Sequence, residues 1–143
     1  MGPPEVEPIG LHVTRTAKVL SRAFDDALAE VGGSLPAWLV LVSLKREVPG
    51  AQRDLAEAVG IEGPTLTHHL NRMETAGLVT RRRDPENRRV HKVELTDSGE
   101  AAFLRLLQAV TAFDEGLRRG FTDRDVSVLR RLLERLRSNA AIG

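Results

Sequence analysis

The chain contains no cysteine and no tyrosine. Without thiols there are no disulfides, no thiol-based peroxide sensing, no cysteine nucleophile and no thiolate metal site. Aromatic residues are few: Phe24, Trp38, Phe103, Phe113 and Phe121. Aliphatic and alanine side chains must therefore do most of the packing, which favours helices. No apolar run approaches the roughly 20 residues of a membrane span. The N-terminus lacks the basic and apolar pattern of a signal peptide. These absences point to a cytoplasmic protein with no membrane partner. Enzymatic signatures are missing too: there is no glycine-rich phosphate loop and no His-Glu metal motif. The serines at 21, 34, 43, 98, 127 and 138 show no nucleophile context. The expectation is a non-enzyme that needs no metal or cofactor. Net charge is also nearly absent, with Lys and Arg at 21 against Asp and Glu at 20, formally +1. So balanced a chain can meet nucleic acid only by gathering its cations locally.

A length of 143 residues suits one compact protomer. Residues 1–8, with three prolines and two glutamates, read as an extended arm. Val13, Ala17, Leu20, Phe24, Leu28 and Val31 then recur at helical spacing, predicting a first helix over residues 9–31 that Gly32-Gly33 ends. Ser34 can cap the next helix, with Pro36 tolerated in its first turn. Residues 38–44 are almost wholly apolar, so that helix should be buried on most sides. Pro49-Gly50 breaks it. Thr96 or Asp97 starts a long helix, and Asp97 with Glu100 has capping-box spacing. Gly120 interrupts, and Thr122 with Asp125 starts a last helix whose stripe is Val126, Leu129, Leu132, Leu133 and Leu136. Neither terminal helix can bury its stripe alone.

Residues 51–95 organise the rest. Leu55, Ala56 and Val59 form the buried side of a short helix, and Ile61 closes the turn into the next. In that second helix Leu66, Leu70, Met73 and Gly77 lie along one side. Thr65, His68 and Arg72 recur on the other, flanked by Pro64, Thr67 and Asn71. An apolar back with a front of hydroxyls, an imidazole and a guanidinium is shaped to enter a DNA major groove. Two β-like runs follow around the turn residues Asp84, Pro85, Glu86 and Asn87. Six cations, Arg81, Arg82, Arg83, Arg88, Arg89 and Lys92, face two carboxylates there, a local excess suited to phosphates or the minor groove. Alternation sends Arg82 to the face opposite Arg81 and Arg83. Gln52 and Arg53 open the shorter helix, whose N-terminus can also meet phosphate. His69 lies nearer the apolar side than His68, at the core boundary or against phosphate. A metal site at these two is disfavoured, because adjacent helical residues diverge by about 100°. The combination reads as a winged helix-turn-helix.

Three stretches, QRDLAEAVGI, PTLTHHLNRMETAGLV and RRDPENRRVHKVELTDSG, resemble the multiple antibiotic resistance regulator (MarR) family of bacterial transcription factors. The last is the most specific, because the family's wing typically reads Asp-Pro, then Asp-Arg-Arg, then a strand ending in Leu-Thr. Asn87 departs from it, standing where the family has the second aspartate; an amide holds wing arginines more weakly than a carboxylate. The resemblance implies a mainly α protomer with a small β-wing. It comprises an arm and dimerisation helix (1–33), a winged helix-turn-helix (34–95) and C-terminal dimerisation helices (96–143). It also implies a homodimeric repressor of a pseudo-palindromic duplex DNA operator, with Arg88 as the minor-groove arginine. Relatives bind small aromatic acids, and by analogy Trp38, with polar contacts from His12 and Arg15, would line an effector pocket. The alternative reading of Trp38 is core. Rival functions are an architectural DNA-binding protein and a winged-helix protein-interaction module.

Overall fold

The computed structural model describes residues 1–46, 52–83, 85–86 and 91–142, with the main chain alone at Gln52, Arg53 and His91. The element order is α1 (Ile9–Ala29), α2 (Leu35–Lys45), α3 (Gln52–Val59), α4 (Gly63–Thr75), β1 (Val79–Arg83), β2 (His91–Leu95), α5 (Asp97–Leu117) and α6 (Asp123–Ile142). The mainly helical chain with one small sheet matches the expected fold class. By packing it divides into two compact units, Met1–Val110 and Thr111–Gly143, a division distinct from the three segments by role.

The core of the first unit follows from sequence spacing. α2 buries Trp38, Val40, Leu41 and Ser43, as its apolar composition requires. Ser34 caps it, accepting from the Ala37 N–H at 3.2 Å, and the Asp25 carboxylate accepts from the Leu35 N–H at 2.9 Å. Leu55 of α3 and Leu66, Leu70 and Met73 of α4 join this core, with Leu28, Val79, Val93, Ala102 and Leu106. On α1, only Leu28 is buried. Val13, Phe24 and Val31 are half-buried, while Ala17 and Leu20 stay exposed. The stripe expected there is thus covered mainly at its C-terminal end, with Val13 half-shielded near its start.

Glycine conformation fixes two of the turns. Gly32 and Gly77 both stand at φ 78°, in the left-handed region that L side chains avoid; they end α1 and α4. After Gly77 the chain runs into β1, which pairs antiparallel with β2 in the register Val79–Leu95, Arg81–Val93, Arg83–His91. Thr96, not Asp97, caps α5. Its hydroxyl accepts from the Gly99 N–H at 3.0 Å and donates to the Gly77 carbonyl at 2.5 Å, tying the root of the wing to the helix that follows. The expected Asp97–Glu100 box does not organise this end: Glu100 pairs instead with Lys45 at 2.9 Å.

In the second unit Thr122 and Asp125 form a reciprocal capping box. The Asp125 N–H donates to Thr122 Oγ1 and the Thr122 N–H to Asp125 Oδ2, both at 3.0 Å. α6 buries no residue, and Leu129, Leu132 and Leu133 on its apolar stripe are exposed. The Pro49-Gly50 break lies outside the described residues.

Candidate nucleic-acid interface

α4 presents two faces. Leu66 and Leu70 are completely buried and Met73 nearly so, which orients the helix. Pro64, Thr65, His68, Asn71 and Arg72 are exposed, on the side the spacing assigns to DNA. Thr67 is half-buried, and its hydroxyl donates to the Gly63 carbonyl at 3.0 Å. The helix starts at Gly63-Pro64, and no side chain bonds its first turn from the cap residue, Glu62.

The flank of α4 carries a recess that the helical spacing alone does not show. His69, Arg72, Met73 and Ala76, with Leu78, form one wall. The α1–α2 junction, with Asp25, Ser34 and Ala37, forms the other, around about 370 Å³. Arg72 thus sits between the exposed front and this recess. His69 is half-buried, and its imidazole is held below its ordinary pKa, first by burial and then by the charges of His68 and Arg72. The His68 and His69 rings meet edge to face, 5.7 Å apart. No cluster of His, Asp and Glu fit for a metal ion occurs among the described residues.

The wing departs from expectation at Arg81. It shares a face with buried Val79, so its side chain turns inward toward α4 and is 19% exposed. Its Nη2 donates to Glu74 Oε1 at 3.0 Å and to Asn71 Oδ1, and its main-chain N–H donates to Glu74 Oε2 at 3.1 Å. These bonds hold the Glu74 carboxyl below its ordinary pKa. Arg81 was expected as a DNA cation; the structure engages it within the protein, because α4 offers it a carboxylate and an amide. Arg82, on the opposite face, pairs with Glu94 at 2.5 Å. Arg83 is exposed. Asp84, Asn87, Arg88, Arg89 and the side chains of Gln52, Arg53 and His91 lie outside the described residues. Sequence reasoning missed Glu74. An acid in the last turn of a helix, seven residues before a strand arginine across a glycine turn, was the available signal.

Among the described residues, the recess that His12 and Arg15 line does not include Trp38. Trp38 is buried and stacks on Phe103 with ring centres 5.6 Å apart and planes 4° apart, while the Lys45 ammonium sits 5.4 Å from the other ring's centre. Such a stack belongs to the core. His12 and Arg15 are exposed on α1, lining a shallow recess with Glu7, Thr16 and Val19. Arg15 is paired there with Glu7 at 2.5 Å.

Comparison with known proteins agrees with this geometry. Residues 34–91 match the model of the MarR family. A MarR-family transcriptional regulator from Rhodococcus sp. RHA1 is 26% identical, with a TM-score of 0.79 over 90% of this chain and 91% of that one. A mutant MarR from E. coli complexed with operator DNA is 23% identical, with a TM-score of 0.82 over 92% and 95%. CouR from Rhodococcus jostii RHA1, bound to p-coumaroyl-CoA, is 24% identical, with a TM-score of 0.78 over 93% and 95%.

Proposed function

Residues 34–91 of this chain are a MarR-family winged helix-turn-helix, and from that premise we propose that the protein is a ligand-responsive, DNA-binding transcriptional repressor. It binds a pseudo-palindromic operator as a homodimer in the cytoplasm and has no catalytic role. The observation that carries this reading is α4, whose buried Leu66, Leu70 and Met73 leave Thr65, His68 and Arg72 exposed beside a two-stranded wing. Such a helix meets base edges with its exposed side while the wing follows the backbone. The E. coli relative complexed with operator DNA supports the same use of the fold. Thr65, His68, Asn71 and Arg72 are the base and phosphate contacts of this reading. Pro64, Thr67, Gln52, Arg53, Arg83 and Arg89 line the surrounding backbone, and Arg88 enters the minor groove.

Dimerisation follows from uncovered apolar surface. α1 exposes Ile9, Leu11, Val19 and Leu20, and α6 exposes Leu129, Leu132 and Leu133. A second copy would remove both stripes from water. The effector is a small aromatic acid, and the recess beside α4 suits it better than the residues first assigned. Its volume lies in the range of small-molecule pockets. Arg72 and His69 offer a carboxylate partners, and Pro36, Ala37, Met73 and Leu78 offer a ring apolar contact. Because Arg72 serves both faces, an acid bound there changes the DNA-reading side. It releases DNA only by binding the free and DNA-bound states unequally.

Selection of bound duplexes from a random pool, with and without aromatic acids, tests the reading. A regulator should prefer one sequence over random duplex by roughly 10³-fold or more. His68→Ala and Arg72→Ala should each cost roughly 1–3 kcal/mol at particular base pairs. Tight binding without sequence preference would support an architectural role. No binding to any duplex at low salt would leave a protein-interaction module.

A further inference from the structure

We propose that Glu74 is a positioning residue for operator recognition: it holds the wing at a fixed pitch against the recognition helix by clamping both the main chain and the side chain of Arg81. The inference rests on the DNA-binding reading above and adds to it a residue that need not touch DNA.

The chain between α4 and β1 turns at Gly77, whose φ of 78° favours glycine, so that link has no side chain to brace it. The wing itself is a ribbon of two strands paired with each other, and an isolated two-stranded ribbon is marginal in water. Val79 and Val93 bury the ribbon's inner face in the core, and polar contacts at its base add direction to that packing. Thr96 supplies the first, through Gly77 and Leu78: its hydroxyl donates to one carbonyl and its N–H to the other. Glu74 supplies the next one outward along β1. Its main-chain carbonyl accepts from the Gly77 N–H at 3.0 Å. Its two carboxylate oxygens accept separately from the Arg81 N–H and from Arg81 Nη2. Asn71, one turn earlier, accepts from the same Nη2. One residue thus bonds the turn and the strand together, and a guanidinium spans from strand to helix. Charge-assisted bonds of this kind are directional as well as strong.

Charge alone predicts the opposite effect from positioning. Glu74 is exposed on the same helix as His68 and Arg72. A carboxylate there opposes phosphate, so deleting its charge should strengthen binding, and most at low salt. If Glu74 sets the wing's pitch, deleting it should weaken binding wherever the wing has DNA to touch. Glutamine keeps the shape but turns an NH₂ toward one of the two Arg81 donors, so the two-point clamp cannot form.

The test uses the full chain, the duplex recovered by pool selection, and the same duplex trimmed at both ends to remove the base pairs under the wings. Wild type should bind the longer duplex more tightly. Glu74→Gln should lose roughly two- to fivefold on the longer duplex and little on the trimmed one, with the urea midpoint little changed. Equal or tighter binding of the longer duplex by Glu74→Gln would overturn the proposal in favour of simple charge. An equal loss on both duplexes would overturn it in favour of damage to α4. Wild type binding both duplexes equally would show a wing that does not touch DNA; this overturns the inference while leaving the regulator reading intact. Wild type preferring no duplex would remove the parent reading itself.

Discussion

Two glycines in α5 should respond to alanine with opposite signs. Gly99 is buried in the first turn, and a Cβ there would stand 2.1 Å from the Leu78 carbonyl oxygen and 3.0 Å from Leu95 Cδ2. The obstacle is main chain, and it is pinned, because the same carbonyl accepts from the Thr96 N–H at 3.1 Å. Ordinary contact begins near 3.4 Å, so α5 and the wing root must separate by about an ångström. Overpacking of this kind costs roughly 1–3 kcal/mol, and a rigid obstacle places it in the upper part of that range. Alanine's helix propensity returns up to about 1 kcal/mol. The net expectation for Gly99→Ala is a loss of about 1–2 kcal/mol, or a Tm lowered by roughly 2–8 °C for a chain of this size. Gly116, near the other end of the helix, has nothing within 4 Å of its added Cβ. Gly116→Ala keeps the propensity gain and should stabilise by up to about 1 kcal/mol. Urea unfolding at one protomer concentration measures both. A Gly99→Ala protein as stable as wild type would refute the close approach of α5 to Leu78. Loss of stability in Gly116→Ala would show that its surroundings are occupied.

Replacing Leu129 and Leu133 by glutamate should give monomer or aggregate and weaken DNA binding, because both side chains are exposed on the uncovered stripe of α6. A wild-type monomer in sedimentation at micromolar concentration would sink the dimer. For His69 the fold lowers the pKa from its ordinary 6.5, so the folded chain binds the proton less readily than the unfolded one. The stability it contributes is whole above about pH 6.5 and is lost as the pH falls through the lower folded value. His69→Gln should therefore lose stability less steeply than wild type between about pH 7 and 5, and parallel urea midpoints across that window would show that His69 is not the group responsible.

Local signals were the legible ones. Helical spacing marked the buried side of α4, apolar composition marked α2, and Gly32 and Gly77 marked the stops, because period and φ are properties of neighbouring residues. The Thr122–Asp125 box was legible for the same reason. Choices decided by distant partners were not. Glu100 has capping-box spacing from Asp97 yet pairs with Lys45, far off in sequence. Thr96 wins the cap because it also reaches the Gly77 carbonyl. Trp38 had two readings, and its stack on Phe103 selects the core. Grouping it with His12 and Arg15 rested on family analogy, which carries no information about which side chains a helix buries. Arg81 is the instructive case, since its signal was present. Val79 has the same strand parity, and Val93 is its register partner. Two apolar neighbours on that face mark it as the inner one, and the inner arginine must find an acceptor within the protein.

That reassignment changes what the cationic hairpin can do. Counted from sequence, the wing holds six cations against two carboxylates, but Glu74 and Glu94 lie outside or opposite the loop and were not set against them. In the structure they engage Arg81 and Arg82. A guanidinium already paired with a carboxylate displaces fewer counterions from a phosphate than a solvated one does. The salt dependence of operator binding should then report fewer phosphate contacts than the hairpin has arginines. With less affinity available from charge, more of it must come from the exposed side of α4 and from the wing arriving at a fixed angle. A clamp at the base of the wing and a short set of side chains on the recognition helix are therefore parts of one arrangement. In a chain of net charge +1, placement of the cations matters more than their number.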